Sequence, residues 1–479
     1  MSAVGSILTN TGALTALNSI SNTTNMNNTL EGELSSGLSI NSPADNPAGY
    51  ITAQGFTSQL NGLTQAISNA NTGVSLLQTA QGAIGQQVGV VQQLNSIAVQ
   101  AANGTQTSAE SQSLQTLASQ LTSQVSTIAS QTQFNNINLL DGSFTGKQLQ
   151  VGANEGQTMS LSIGNTNANA IGMYSAGSTT ASGTVSAAGK FTAGAVKITG
   201  PTGGSGSFTA TAGESAAAAA AAANATAATT GVNAVATNTT SYTVKAGTSN
   251  NLITFALQAG NGSGGASSGI GKAVSVNATS LSEAISQINQ TSNTTGIVAS
   301  GSGSSLTLTQ ENGQNITFTA VGTSAASGGT IKAKGATSAV GSGSLQQGQV
   351  QFQSSAAFSV GGSGALNGAT GNSSLSSLAD INVSTTAGAN SAINVIKYAL
   401  ASLNNQGGQL GATQQALTAN INNLNTTSQN ATSALGVVQD ANIPAVSTQL
   451  TEAEIQAQSG VAALKSSTQL QQSFLSLLP

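Results

Sequence analysis

Ile396, Leu403, Leu410, Leu417, Leu424, Ala431 and Val438 stand seven residues apart without a gap, with Leu400, Ile421 and Leu435 at the intervening position. A repeat of that length specifies a helix of about forty residues, roughly 60 Å long, with one narrow apolar seam. Such a seam is stable only against a partner. Gly407-Gly408 and Gly411 weaken the helix locally by about 1 kcal/mol each relative to Ala. Pro444 interrupts the pattern, so Val446, Leu450, Ala457, Val461, Leu464 and the tail SFLSLLP read as a separate terminal helix.

A partner stands near the other end. Between Leu60 and Ala102 the apolar residues again fall at heptad spacing, Ile67, Val74 and Val88 at one position and Ala70, Leu77, Ile84, Val91 and Ala98 at the other. Gln81 and Asn95 interrupt the first position, where polar residues fix register at a cost in stability. A second helix, carried by Leu114, Leu117, Leu121, Val125 and Ile128, follows the turn Asn103-Gly104 and reads as an antiparallel neighbour. FNNINLLDGSF and KQLQVGANEGQTMSLSI alternate apolar and polar residues around Asp141-Gly142 and Glu155-Gly156, which predicts hairpins there. Between about 166 and 380 the texture changes to Gly, Ser, Ala and Thr. A disordered linker fits that composition. Runs such as KFTAGAVKITG, SYTVKAG, NLITFALQAG and SLTLTQENGQNITFTA nevertheless give strands a face to bury, and they favour an ordered β-rich insertion.

Composition removes most chemistry. Only 5% of residues are charged, all nine basic residues are Lys, and there is no His and no Cys. A basic surface for nucleic acid is therefore not expected, nor are disulfides, thiolate catalysis or a His-built metal site, and no cofactor is predicted. The closest acidic pairs, Glu31 with Glu33 and Glu452 with Glu454, read as solvated helix faces. The N-terminal residues show neither a basic region nor a continuous apolar run, and no stretch is apolar enough to span a bilayer, so neither a cleaved secretory signal nor membrane insertion is expected.

These features predict an α+β protein whose N- and C-terminal helices pack as an elongated coiled-coil rod, with a β-hairpin element and a β-rich central insertion. The expected division is 1–42 and 444–479 as terminal helical segments, 43–165 as rod helices and hairpin, 166–380 as outer region, and 381–443 as C-terminal rod helix. Such ends order on assembly, which describes a non-enzymatic, self-assembling subunit.

A specific resemblance gives that subunit a context. LSSGLSINSPADNPAGY, residues 34–50, resembles the flagellin signature after the N-terminal helix. NANTGVSLLQTAQGAI and IAVQAANGT resemble the flagellin rod helices and the turn between them, and TQFNNINLLDG the entry to the hairpin. AINVIKYALASLNNQGGQLGATQQALTANINNL and FLSLLP resemble the C-terminal rod helix and tail, while residues 281–318 resemble a short module of flagellin and hook-associated central domains. The resemblance implies an extracellular filament subunit of the bacterial flagellum, exported through the type III channel. Its implied partners are further copies of itself, an export chaperone gripping Val461, Leu464, Leu470 and Leu475, and cap and junction proteins. It makes residues 34–50 a connector, with Gly37 supplying unusual backbone angles and Pro43 and Pro47 stiffening it. On this reading Ile7, Leu8, Leu14, Leu17 and Ile20 pair with Leu450, Val461, Leu464 and Leu470 during assembly.

The chain departs from the family pattern where Ser39 stands for Arg and Asn46 for an acid. The helix matching the contact for the vertebrate Toll-like receptor, residues 91–100, likewise carries Gln93 and Ser96, beside Ile97, where charged residues are usual, which implies weakened recognition. A hook–filament junction protein has the same terminal architecture and is the alternative reading; a surface adhesin is the remoter one.

Overall fold

The computed structural model describes residues 10–177, 191–245, 253–260, 273–321, 330–333, 340, 344–362, 366 and 371–475. Three helices come first among the described residues: α1 (Thr11–Ser36), α2 (Pro47–Ala102) and α3 (Ser108–Gln131). Each begins on a side chain that satisfies free helix amides. Asn10 accepts from the Ala13 amide at 2.8 Å, and Asn46 from the Gly49 amide at 3.0 Å, directly before Pro47. At α3, Thr107 and Glu110 cap one another's backbone amides.

The seam of α2 differs from expectation in one respect. Leu63, Ala70, Leu77, Ile84, Val91 and Ala98 are buried at one heptad position, but the second buried position is Ala66, Gly73, Ala80, Gln87, Leu94 and Ala101. That is one residue ahead of the expected series, whose Ile67, Val74, Gln81, Val88 and Asn95 are only partly buried at its flank. As far as Ala80 the position is held by the small Ala66, Gly73 and Ala80, and at Gly73 neighbours approach the helix backbone closely. A Cβ on Gly73 would lie 2.5 Å from Leu149 Cδ2 and 3.2 Å from Leu417 Cδ1. On α3, Leu117 is exposed, contrary to expectation, and Ala118, Leu121, Thr122, Val125 and Ala129 form the buried face.

The first hairpin turns earlier than predicted. β1 (Gln133–Phe134) pairs with β2 (Ile137–Asn138) across Asn135-Asn136, whose φ values of 49° and 61° are those a tight two-residue hairpin turn needs. Gly142 makes a separate turn. β3 (Lys147–Gln150) and β4 (Thr158–Leu161) form the second hairpin around Glu155-Gly156, as expected.

The β-rich region follows. β5 (Gly172–Gly177), β6 (Gly194–Thr199) and β7 (Ser205–Ala210) lead to α4 (Ala216–Asn224), α5 (Ala227–Thr230) and the long β8 (Asn233–Lys245). Next come β9 (Ile253–Gly260), β10 (Val274–Ala278), α6 (Leu281–Gln290), α7 (Ser292–Thr295), β11 (Ile297–Ser302) and β12 (Ser305–Gln310). β13 (Asn315–Val321), β14 (Thr330–Ala333), β15 (Ser344–Gln346), β16 (Gln349–Ser354), β17 (Ser359–Gly361), β18 (Gly371–Asn372) and β19 (Ser374–Ser377) complete it. The expected strand runs thus become β6, the end of β8, β9, β12 and β13. The alanine run Ala216–Ala223 lies within α4. Two four-stranded antiparallel sheets, β10-β9-β13-β15 and β18-β17-β6-β7, accompany a sheet ordered β11-β12-β8-β16-β5-β19, in which β14 also pairs with β8. One core gathers Tyr242, Leu257, Ile288 and Phe318, with the Tyr242 and Phe318 rings edge-to-face at 5.2 Å; the other gathers Phe191, Ile198, Ala219 and Phe352.

After a single 3-10 turn (Leu378–Asp380), α8 (Thr386–Gln439) and α9 (Ile443–Leu475) close the chain. α8 starts ten residues before the expected repeat and runs unbroken through its glycines. It buries Ile396, Leu403, Leu410, Leu417, Leu424 and Ala431, leaving Val438 partly buried. The chain divides into two compact units. One comprises 1–78, 146–162 and 411–479, and the other 79–145 and 163–410. In the first, Leu63 and Ala66 of α2 pack with Leu424 of α8. The long N- and C-terminal helices pack together, with the β-rich region between them in sequence, an α+β fold.

Candidate assembly interface

α1 and α9 share a seam of modest side chains. Leu30, Val446 and Ala453 form its buried cluster, with Leu450 and Ala441 against it. Ile20 reaches the α9 backbone because position 460 is glycine; a Cβ there would lie 2.9 Å from Ile20 Cγ1. At the far end Asn10 Nδ2 donates to Gln471 Oε1 at 2.9 Å, and Ser467 Oγ donates to Asn10 Oδ1 at 3.1 Å. No charge takes part in these contacts.

The nine expected interface residues fall into three groups. Ile20, Leu450 and Leu464 are partly buried in the subunit's own seam. Leu14, Leu17, Val461 and Leu470 are 54%, 53%, 55% and 59% exposed. Ile7 and Leu8 lie outside the described residues. Sequence reasoning missed Met26 and Ile455, which are also exposed. With 100° between successive residues, Val461 and Leu470 flank the α9 seam on opposite sides, and Ile455 lies on its far side. The apolar surface therefore encircles α9 and forms no single stripe.

The connector is held by a segment 400 residues away. Gly37, with φ 73°, ends α1 in the left-handed conformation, and its amide donates to Glu33 O at 2.8 Å. The Ser39 amide and hydroxyl both donate to Gln439 O, at 2.7 and 3.1 Å, and the Ala441 amide donates to Gly37 O at 2.9 Å. Pro43 lies in the following turn, which Asp45 holds by accepting from the Asn41 and Ser42 amides at 3.0 and 2.8 Å. Those amide bonds, Ser42's foremost, keep the Asp45 carboxyl below the ordinary carboxylate range. Pro47 occupies the first position of α2, where its missing N–H costs nothing.

Comparison with known proteins places this arrangement. Residues 7–145 match the bacterial flagellin N-terminal helical region and residues 393–478 the bacterial flagellin C-terminal helical region. The B-type flagellin of Pseudomonas aeruginosa is 34% identical across 98% of this chain and 99% of its own length. The chain belongs to the bacterial flagellin family. A flagellin of Xenorhabdus nematophila is 38% identical over 34% of this chain and 51% of its own. Among solved structures, FliC from Burkholderia pseudomallei is 23% identical and covers 72% of this chain and 99% of that one, at a TM-score of 0.30. This flagellin is accordingly a structural, non-enzymatic subunit of the extracellular flagellar filament.

Neutral residues do the local work in the connector: Ser39 ties it to Gln439 and Asn46 caps α2. On the helix resembling the receptor contact, Gln93 and Ser96 are exposed while Ile97 is turned into the core. The lowered carboxylates elsewhere are also local caps. Glu110 is held down first by the Thr107 amide, Glu283 by the Thr279 amide, and Asp141 by the Ser143 hydroxyl.

Proposed function

We propose that this flagellin polymerises by burying, between subunits, the apolar residues that α1 and α9 leave outside their shared seam. The exposure of Leu14, Leu17, Val461 and Leu470 on helices that already have a partner carries the reading. Each such side chain contributes about 1.5–3 kcal/mol when fully removed from water, before ordering costs are subtracted. Because the residues surround α9, a subunit needs neighbours on several sides, as a helical lattice provides. The same exposed residues before assembly are what an export chaperone would cover, and cap and junction proteins would meet the filament through the same helices.

Leu17→Asp and Val461→Asp test the interface. Both positions face solvent in the subunit, so the monomer should keep its helical circular dichroism. Polymerisation should be lost, since assembly would bury an unpaired carboxylate. Filaments forming at the subunit concentration of the unsubstituted chain would sink the proposal. The uncharged Gln93 and Ser96 further support weak signalling through the flagellin-sensing Toll-like receptor; in a reporter assay, potency equal to an enteric flagellin's would contradict that.

A further inference from the structure

We infer that the outer β-region is one fold used twice, with the second copy seated inside a hairpin of the first. The segment from the end of α4 through α5 and the segment from the end of α6 through α7 match position by position, with five of eight residues identical. The sequence from Asn224 to Gly231 reads NATAATTG and that from Asn289 to Gly296 reads NQTSNTTG. Asn224 Nδ2 donates to Ala234 O at 2.9 Å, and Asn224 Oδ1 accepts from the Ala234 amide at 2.6 Å. Asn289 makes the same two bonds with Ala299 at 2.9 and 2.7 Å. Thr230 accepts from the Val232 amide at 3.3 Å, and Thr295 from the Ile297 amide at 3.2 Å. Gly231 and Gly296 both have φ 66°, and Ser215 and Ser280 cap α4 and α6 alike.

The strands repeat with the links. A hairpin precedes each helix, β6-β7 before α4 and β9-β10 before α6, and each lies at one side of a four-stranded sheet. The strand leaving each link pairs with its successor in the same register. Ala234 faces Phe352 as Ala299 faces Leu308, and Thr237 faces Gln349 as Ser302 faces Ser305. Between Ser302 and Ser305 stands the two-residue turn Gly303-Ser304. Between Thr237 and Gln349 stand residues 238–348, the entire second copy. β8 is consequently shared, its first half pairing β16 in the outer copy and its second half pairing β12 in the inserted one. Asn238 closes the joint, donating to Gln314 O at 2.8 Å and Gln346 O at 2.9 Å while almost fully buried.

An insertion that replaces a tight turn leaves its host's sheet register untouched, so the second copy acts as a removable cassette on the filament subunit. The experiment replaces residues 238–348 by Gly-Ser in the otherwise full chain. The shortened chain should be soluble, melt cooperatively and form filaments. In the full chain, Asn224→Ala should raise exchange of the Ala234 amide about tenfold, with effects confined to the outer copy. Asn289→Ala should do the same at Ala299 within the inserted copy. If the shortened chain fails to fold, the exchange pattern decides: separate opening of the two copies upholds the inference, and joint opening under either single substitution overturns it.

Discussion

Replacing Gln87 by Glu should turn a protein indifferent to pH between about 5 and 8 into one that weakens as pH rises through that range. Gln87 lies in the buried seam of α2 with no exposed surface, and its Nε2 donates to the carbonyls of Val125 at 3.0 Å and Thr166 at 3.3 Å. A carboxylate there would face two oxygens without water. Burial of that kind raises a carboxyl's pKa by about 3–5 units, from near 4.3 to roughly 7–9. Protonated, the new group can still donate one hydrogen bond. The sign follows: the folded pKa lies above the unfolded one, so stability is intact below about pH 4 and falls as pH rises toward the folded value. At pH 7 the loss is about 1.36 kcal/mol for each of roughly 2.7 units, near 4 kcal/mol. The unsubstituted chain supplies the control, because without His no side chain of ordinary pKa titrates between about pH 5 and 8. Urea unfolding of monomers followed by circular dichroism at pH 5 and pH 7, with exchange at the α3 amides, measures the difference, about 2.7 kcal/mol over those two units. Equal stability of the Gln87→Glu chain at the two pH values would refute the argument that this position is dry and acceptor-lined.

Glycine substitutions along α2 should separate backbone propensity from packing. Gly82, Gly85 and Gly89 have open space where a Cβ would go, so each change to Ala should stabilise monomers by about 0.5–1 kcal/mol in urea. At Gly73 the new methyl would crowd Leu149 and Leu417, and overpacking of about 1–3 kcal/mol should cancel or reverse that gain. Filaments should persist at about pH 3. Neutralising thirteen carboxylates leaves nine lysines, moving the formal charge only from −4 to +9. The depressed pKa values of Asp45, Glu110, Asp141 and Glu283 make their contributions present above ordinary carboxylate values and lost as pH falls through the lowered ones, but these groups cap their own turns at the surface. Sedimentation across a pH series checks this, and dissociation already at pH 4 would defeat it. Removing residues 471–479 should abolish filaments while α2 and α8 keep their helicity, as sedimentation and circular dichroism would report.

Periodicity made the long helices legible, since a seven-residue repeat survives any choice of neighbours. It misplaced the second α2 position because hydrophobicity favours Ile67, Val74 and Val88, whereas the fold selects for thinness and takes Ala66, Gly73 and Ala80. Gln87 was invisible for the same reason: an apolar neighbour drew attention from a polar residue whose two acceptors come from distant segments. The first hairpin was misread because Asp-Gly is the commoner turn signal, yet Asn135-Asn136 adopts the left-handed angles instead. At the interface, local sequence marked the apolar residues of α1 and α9, but a seam and a free surface are spelled alike. Their separation depends on which side each helix turns to the other. The tie between Ser39 and Gln439 left no trace in sequence, for backbone carbonyls carry no signature.

That tie also sets an order of events. The contacts of α1 with α9 and the connector close only after residue 439 has been made, some 400 residues and roughly 20–80 s of ordinary ribosomal synthesis after α1 itself. The compact unit that excludes α1 ends at Leu410 and is complete sooner. Contacts of such sequence separation form slowly in any case. α1 therefore waits without its partner while some 400 further residues are made, and is among the last segments to fold.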